Sequence, residues 1–180
     1  PPADQEIAHS MQGILKKQGI EIRTGAAIMS LEEKKGRVIA ILEKGEEMEA
    51  EKALIAIGRN LNTEGLGLKD AGITLGERGE VIINSYLQTS RSDVYAIGDL
   101  TSKIPLAHVA SAQGIAAVHN ILDSPRPMDY QTVPNCIFTL PEIAGVGLTS
   151  QEAEAQGMKI KTGKFPFLAS GKAVAGGDTE

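Results

Sequence analysis

The sequence predicts an α/β fold, because short apolar runs that end in glycine alternate with helical segments. Residues 53–57 and 94–97 are continuously apolar, as is typical of strands buried on both faces of a parallel sheet. Gly58 and Gly98 follow these runs directly, and a helix is predicted from about Ala107. Open α/β sheets bind ligands at the carboxyl ends of their strands, so we expect the site to follow these runs.

The second run leads into Asp99, a short polar loop and the predicted helix. A carboxylate accepts hydrogen bonds from ligand hydroxyls, and a helix start offers unpaired N–H groups with the positive end of its dipole. A ligand with a polyol and an electron-rich oxygen suits both groups, which describes the ribityl chain and pyrimidine carbonyl of a flavin. The alternative is an ordinary βα unit whose loop aspartate binds nothing.

Composition narrows the class of protein. The 180 residues are 42% apolar and 23% charged, which is ordinary for one or two soluble domains. The net charge of −5 argues against nucleic-acid binding, and no apolar run approaches the ~20 residues of a membrane span. The N-terminal residues lack the charged and apolar parts of a signal peptide.

Three histidines and one cysteine without close ligand spacing argue against a metal site. The cysteine, Cys136, is predicted in a buried strand, and no internal disulfide is possible.

Other elements follow from local patterns. Asp4–Lys17 is predicted as a helix capped by Asp4, and residues 37–42 and 46–50 as a hairpin around Gly45. Thr149 and Glu152 have the spacing of a capping box that opens a short helix. Further strands are predicted over residues 20–24, 27–31, 81–83, 135–139, 143–148 and 158–167.

Ala96-Ile-Gly-Asp99 followed by Leu106-Ala-His108 resembles the second flavin-binding motif of the pyridine nucleotide–disulfide oxidoreductases. The Leu-Ala-His variant is similar to the dihydrolipoamide dehydrogenase branch of that family. The resemblance covers essentially the whole chain and continues in three more segments, which are Ala56–Leu68, Ile137–Gly147 and Gly163–Phe167.

This resemblance implies partial FAD- and NAD(P)-binding Rossmann-like domains, followed by the start of an α+β interface (dimerisation) domain. Residues 1–61 would be the C-terminal half of the NAD-binding domain with its β-meander. Residues 62–124 would be the returning segment of the FAD-binding domain. Residues 128–180, after a proline-rich break, would be the N-terminal part of the interface domain.

The resemblance also implies the cofactor-binding residues. For FAD these are Gly98, Asp99, Pro105, Leu106, Ala107 and His108; for the nicotinamide cofactor they are Gly58 and Ile28. The Gly-x-Gly-x-x-Gly fingerprint is absent from the chain, as is the family's redox-active cysteine pair. His108 and His119 do not match the family's catalytic His–Glu dyad, so no catalytic residue and no metal ligand is assigned.

The implied parent is a flavoprotein that reoxidises dihydrolipoamide with NAD through FAD and a redox disulfide, and the chain alone is expected to be inactive. The implied partners are dihydrolipoamide on an acyltransferase or carrier subunit of a 2-oxo acid dehydrogenase complex, and a second copy in a homodimer. A cytoplasmic location is expected, and the choice between NAD and NADP stays open. The alternatives are a glutathione- or mercuric-reductase-like enzyme, and a non-catalytic nucleotide-binding or interaction module.

Overall fold

The computed structural model describes residues 3–122, 124–177 and 179. Contacts divide the chain into two compact units, each discontinuous in sequence. The first unit comprises Pro1–Gly58, Cys136–Ile143 and Thr149–Glu180, and the second comprises Arg59–Asn135 and Ala144–Leu148. The division by sequence into 1–61, 62–124 and 128–180 stays a prediction.

The first unit begins with helix α1, Gln5–Lys17. Asp4 is its N-cap, as predicted, and one carboxylate oxygen accepts a hydrogen bond from the Glu6 N–H at 3.0 Å. Gln18 is the C-cap of the helix, and Gly19 follows in the left-handed region with φ of 85°. Met11 is buried on the apolar face of α1, which explains the helical spacing of apolar residues in this segment.

A three-stranded antiparallel meander follows in the same unit. Its strands are β1 (Ile28–Lys34), β2 (Arg37–Leu42) and β3 (Glu47–Ala50), in the order β1-β2-β3. Lys35 and Gly36 join β1 to β2 with positive φ angles of 53° and 74°, as a tight two-residue hairpin requires. The hairpin predicted between β2 and β3 is confirmed, with Ile39 opposite Glu49.

The second unit is built around helix α2, Ala107–Ile121, which begins where the sequence predicts. Val109, Gln113 and Ala117 are buried at four-residue spacing, so they mark the face that packs inward. A short 3₁₀ helix, Asp99–Thr101, precedes α2. Among the described residues of this unit, Ile73, Val81 and Leu87 are also buried apolar side chains.

Shorter elements complete the chain. Strands β4 (Pro134–Ile137) and β5 (Ile143–Val146) form a two-stranded sheet, and helix α3 spans Ser150–Ala155. The predicted capping box is confirmed, because Thr149 and Glu152 bond each other's backbone N–H groups. Helix α4 spans Gly171–Gly176. Among the described residues, no helix combines the length and apolar content that a membrane crossing requires.

Several predicted strands are wrong for this structure. No strand forms at five of the predicted segments, which are residues 20–24, 53–57, 81–83, 94–97 and 158–167. Two of these segments take part in isolated bridges, Val81 with Leu75 and Tyr95 with Gln88. A strand needs a neighbouring strand to pair its N–H and C=O groups, and no strand of the described part pairs with residues 53–57. Leu54 and Ile57 are accordingly 92% and 94% exposed.

The predicted burial of Cys136 is also wrong. The residue lies in β4, as expected of a strand, but its side chain is exposed. Successive side chains of a strand point to opposite faces, and Asn135 and Ile137 are the half-buried residues of β4. Cys136 therefore points to the uncovered face.

Candidate functional site

Gly98 forms the turn from which the candidate site is built. Its φ of 77° and ψ of −163° lie in a region that L side chains rarely adopt. A Cβ added at this position would lie 3.6 Å from the Ala110 Cβ in the first turns of α2. One turn further along α2, a Cβ added at Gly114 would lie 3.6 Å from the Cδ1 atom of Ile97, the residue before Gly98. The small residues of α2 thus let the helix approach the 97–98 segment closely.

Both polar groups of the Gly98 residue are hydrogen-bonded within the second unit. Its N–H donates to Gln113 Oε1 at 2.6 Å, and its carbonyl accepts from the Thr101 N–H at 3.0 Å and the Thr101 hydroxyl at 2.9 Å. Gln113 Nε2 in turn donates to the Tyr130 hydroxyl at 2.8 Å. Gln113 is fully buried and Thr101 nearly so. The direction in which the chain leaves Gly98 is therefore fixed from both sides.

Asp99 follows this fixed turn and is exposed. Its backbone carbonyl accepts from the Ser102 N–H at 2.9 Å, which closes the 3₁₀ turn. In the part of the chain that the structure describes, no donor reaches its carboxylate. A carboxylate in this state can accept hydrogen bonds from ligand hydroxyls, and the predicted role of Asp99 in binding FAD stays a prediction.

The start of α2 is similarly open. Leu106 is the N-cap with an extended backbone, φ −128° and ψ 139°, and its side chain makes no capping bond. The first-turn N–H groups have no partner within the helix, as in any α-helix, and no side chain caps them. Ala107 and His108 are exposed. This is the arrangement that an anionic or electron-rich oxygen would satisfy.

His108 has a structural contact of its own. Its ring Nε2 lies 2.9 Å from the Pro134 carbonyl oxygen, and a carbonyl only accepts, so this nitrogen carries the hydrogen. The imidazole therefore links α2 to the chain at the start of β4. His108 can contribute to a ligand through its backbone N–H, while its side chain is engaged elsewhere.

The predicted site residues fall into two groups. Those predicted to bind FAD lie together in the second unit: Gly98, Asp99, Pro105, Leu106, Ala107 and His108. Gly58 and Ile28, predicted on the nicotinamide side, lie in the first unit. Gly58 has φ of 117° with open space where a Cβ would be, and Ile28 is 58% exposed at the first position of β1. Both would be accessible to a ligand.

A shallow pocket of about 590 Å³ lies elsewhere in the second unit, and none of the predicted residues lines it. Its lining includes the acidic residues Glu64 and Asp70, the basic residues Lys69 and Arg78, and three leucines. No group of three metal-ligating side chains occurs among residues 3–122, 124–177 and 179. The Gly98–α2 turn is therefore the better candidate site.

Three residues that hold this turn through hydrogen bonds were not predicted from the sequence: Thr101, Gln113 and Tyr130. The role of Gln113 could have been inferred from its spacing, because this polar residue lies on the same helix face as the apolar residues Val109 and Ala117. A buried primary amide needs hydrogen-bond partners, and this requirement indicates a polar contact between α2 and another segment. Tyr130 gave no such signal, since its role depends on where the chain folds back after α2.

The chain matches two models of one family. Residues 1–114 match the model described as pyridine nucleotide-disulphide oxidoreductase, and residues 133–180 match the dimerisation domain of the same family.

Individual relatives agree with these matches. The chain is 42% identical over 186 residues to a dihydrolipoyl dehydrogenase of Bacillus subtilis and 44% identical over 178 residues to one of Chlamydia pneumoniae. These alignments cover 100% and 98% of the chain, but 39% and 38% of the relatives. Among solved structures, LpdA from Mycobacterium tuberculosis is 30% identical with a TM-score of 0.90, covering 98% of this chain and 39% of that one. The chain thus spans about two fifths of the length of the relatives it matches.

Proposed function

Because the chain belongs to the pyridine nucleotide-disulphide oxidoreductase family, we propose that it forms part of a dihydrolipoyl dehydrogenase. The intact protein, meaning the full reading frame that contains this chain, would reoxidise dihydrolipoamide with NAD through FAD and a redox disulfide. The relatives from Bacillus and Chlamydia carry that enzyme's name, which supports this choice over a glutathione- or mercuric-reductase-like enzyme.

The observation that carries the proposal is the open pair formed by the Asp99 carboxylate and the uncapped start of α2. Asp99 would accept hydrogen bonds from the hydroxyls of the ribityl chain or hold the pyrophosphate region. The N–H groups of Ala107 and His108 would point at the electron-rich pyrimidine side of the ring. FAD, when bound, would supply the hydride and electron transfer between thiols and the nicotinamide. The residues of this chain bind and orient it.

The fit rests on features of the structure as well as on the motif. Gly98 packs against Ala110, so the Asp99 turn and the first turns of α2 are neighbours in space. Pro105 has no N–H, and the N-cap residue Leu106 offers no side-chain bond to the first N–H groups of α2. A helix start left open beside an open carboxylate suits a ligand with both acceptor and donor groups.

The nicotinamide side of the proposal rests on Gly58 and Ile28. Gly58 would let the cofactor approach the end of the 53–57 segment, because no atom lies within 4 Å of the place where a Cβ would stand. Ile28 would provide an apolar contact near the adenosine. NAD is proposed as the cofactor because the named relatives are dihydrolipoyl dehydrogenases.

Catalysis itself would depend on parts of the intact protein other than this chain. The chain holds one cysteine, and a redox disulfide needs two. Residues 133–180 match the family's dimerisation domain, so we propose a homodimer. The proposed macromolecular partner is the lipoyl-bearing acyltransferase or carrier subunit of a 2-oxo acid dehydrogenase complex. A cytoplasmic location completes the proposal, since the relatives named above come from bacteria.

The second class of function, a non-catalytic nucleotide-binding or interaction module, makes a different prediction for the same experiment. Expression of the intact protein should give a yellow sample with a flavin absorbance band and lipoamide-dependent NADH oxidation. A purified intact protein that binds FAD but cannot oxidise NADH with lipoamide would favour the module. One that folds without flavin and without this activity would contradict the dihydrolipoyl dehydrogenase proposal and favour an interaction module.

A further inference from the structure

Gln113 is a fully buried polar side chain in the middle of α2. Burying a primary amide is unfavourable unless its donor and acceptor groups find partners. The flanking Ala112 and Gly114 are small, and the neighbours on the same face, Val109 and Ala117, are apolar. An apolar side chain would satisfy simple packing at this position, so the amide needs another explanation.

The hydrogen bonds of Gln113 explain why an amide is buried at this position. A backbone N–H can only donate, so the amide atom that faces the Gly98 N–H at 2.6 Å must be the oxygen. The amide nitrogen is then directed at the Tyr130 hydroxyl, 2.8 Å away, which accepts from it. The orientation of the amide is therefore determined by its partners, and Tyr130 holds it from the side opposite to Gly98.

This chain of contacts joins the two parts of the proposed flavin site. Gly98 immediately precedes Asp99, and its carbonyl is already held by Thr101. Gln113 belongs to the helix whose start would face the flavin, six residues after Ala107 or about 9 Å along the axis. One side chain therefore sets the position of the Asp99 turn relative to the start of α2.

We propose that Gln113, oriented by Tyr130, is a positioning residue that holds the Asp99 turn and the start of α2 in the geometry that binds FAD. This inference rests on the proposed function, because it assigns the role of Gln113 within the same flavin site. Gln113 and Tyr130 do not touch the cofactor in this proposal. They act by keeping the Gly98 peptide in the competent orientation.

The test uses the intact protein and two measurements: the FAD dissociation constant, and deuterium uptake of a peptide that contains Gly98. In Gln113→Leu the Gly98 N–H loses its acceptor. If the competent turn is then populated about a tenth of the time, the dissociation constant rises about tenfold. Deuterium uptake at Gly98 should rise in the same variant, with or without FAD.

Gln113→Glu is the conservative variant, because a carboxyl group still accepts from the Gly98 N–H and can bond the Tyr130 hydroxyl. FAD affinity in this variant should stay within about twofold of the parent. Tyr130→Phe removes one hydroxyl and leaves the Gly98 bond in place, so a smaller weakening of severalfold is expected. This variant keeps the test valid if Gln113→Leu does not fold.

Leu87→Ala is the packing control, since Leu87 is fully buried in the same unit and makes no side-chain hydrogen bond. It should lower the melting temperature and leave FAD affinity unchanged in the folded protein. Equal loss of affinity in Leu87→Ala and Gln113→Leu would overturn the positioning role, as would parent-like affinity in Gln113→Leu. A parent protein that binds no FAD would instead overturn the proposed function, and the Gly98 exchange result would still report whether Gln113 holds the turn.

Discussion

Asp99 is the residue on which the proposed flavin site depends most directly, because its carboxylate is exposed and has no donor among the described residues. Its position is nevertheless fixed, since the preceding Gly98 is held by Gln113 and Thr101. An open group on a fixed backbone can accept ligand hydrogen bonds without reorganising. The next residue, Leu100, lies on the same turn and provides a matched comparison.

Asp99→Ala in the intact protein should weaken FAD retention by about tenfold or more. One lost charge-assisted hydrogen bond is worth roughly 1.5–3 kcal/mol, which sets this magnitude. Equilibrium dialysis or flavin fluorescence during dilution measures the change. Leu100→Ala is the control for lost packing and should keep FAD. Parent-like retention in Asp99→Ala would show that the Gly-Asp sequence is only a turn.

Asp4 is a second residue with a defined electrostatic role. The pKa of its carboxyl is lowered from 3.8 to about 2 by hydrogen bonding from Ser150, at the hydroxyl and at the backbone N–H, and from the Glu6 N–H. One oxygen accepts from Glu6 at 3.0 Å and the other from Ser150 at 2.9 Å. The same carboxylate therefore caps α1 and also accepts from the first N–H of α3, whose N-cap is Thr149.

Stability should depend on pH through this group. Because the folded pKa is depressed, the ionised carboxylate stabilises the fold above about pH 3.8, and that contribution is lost as the pH falls through about 2. The melting temperature of Asp4→Asn should therefore lie below that of the parent at pH 5–7 and converge with it near pH 2. Asp70→Asn controls for removing a surface carboxylate. A difference that is the same at every pH would contradict this account.

At the level of elements, the sequence predicted those that complete their hydrogen bonds locally. Helices α1, α2 and α3 carry their bonds within the segment, and the β2–β3 hairpin pairs residues that are close in sequence. The apolar runs 53–57 and 94–97 could not be settled this way, because a parallel strand exists only when distant segments lie beside it. The apolar sequence of these runs indicates that they could form strands, but it does not specify which segments would pair with them.

The candidate site divides in the same manner. Gly98, Asp99 and the start of α2 were predictable because the motif, the positive φ and the helix start are local. The bonds from Gln113 to Gly98 and to Tyr130 join residues 15 and 17 positions apart. Those pairings depend on how α2 packs against the preceding segment, which periodicity alone does not specify.

The capping box of α3 gives a prediction with an internal control. Thr149 Oγ1 accepts from the Glu152 N–H at 3.2 Å, and Glu152 Oε2 accepts from the Thr149 N–H at 2.8 Å. Thr149→Ala should destabilise the first unit by about 1 kcal/mol in chemical unfolding. Ser170→Ala is the matched control, since Ser170 is the N-cap of α4 and makes no capping bond with its side chain. Equal effects of the two variants would argue against the capping role.

The start of α2 can be tested without breaking the helix. Ala107 is the first residue of α2, where proline is tolerated, and the extended backbone of Leu106 suits a residue before proline. Ala107→Pro removes one N–H from the proposed flavin contact, so FAD retention should fall severalfold while the helical circular dichroism stays unchanged. Gly171→Pro, at the first position of α4, is the control and should retain FAD. Unchanged retention in Ala107→Pro would remove this N–H from the site.

For the whole chain, the accessible area is unusually large. It is 13,882 Å² for 19.0 kDa, whereas a compact monomer of this mass exposes about 8,400 Å² and two compact halves together about 10,000 Å². Large apolar side chains lie on this surface, and Leu54, Ile57 and Phe138 are more than four-fifths exposed. Surface of this kind normally contacts other protein segments. This agrees with the proposal that the chain functions within a longer polypeptide.

The isolated 180-residue chain should therefore show neither activity nor bound flavin. A single cysteine cannot form the redox disulfide, and the chain would contact only one side of the cofactor. The purified chain should be colourless at micromolar concentration and should not oxidise NADH with lipoamide. The intact protein, prepared in parallel, is the control. Lipoamide-dependent turnover that persists after removal of contaminating enzyme would contradict this expectation.

The bond between Asp4 and Ser150 also bears on the order in which the chain folds. These residues are 146 positions apart, so the chain must close a loop of nearly its whole length before the carboxylate reaches α3. By the logarithmic dependence of loop closure on length, this costs roughly 4 kcal/mol of chain entropy. Helix α1 and the meander close far shorter loops. We therefore expect α3 to join α1 late in folding and to separate from it early in unfolding, so that protease sites near Thr149 become accessible before those in β1–β3.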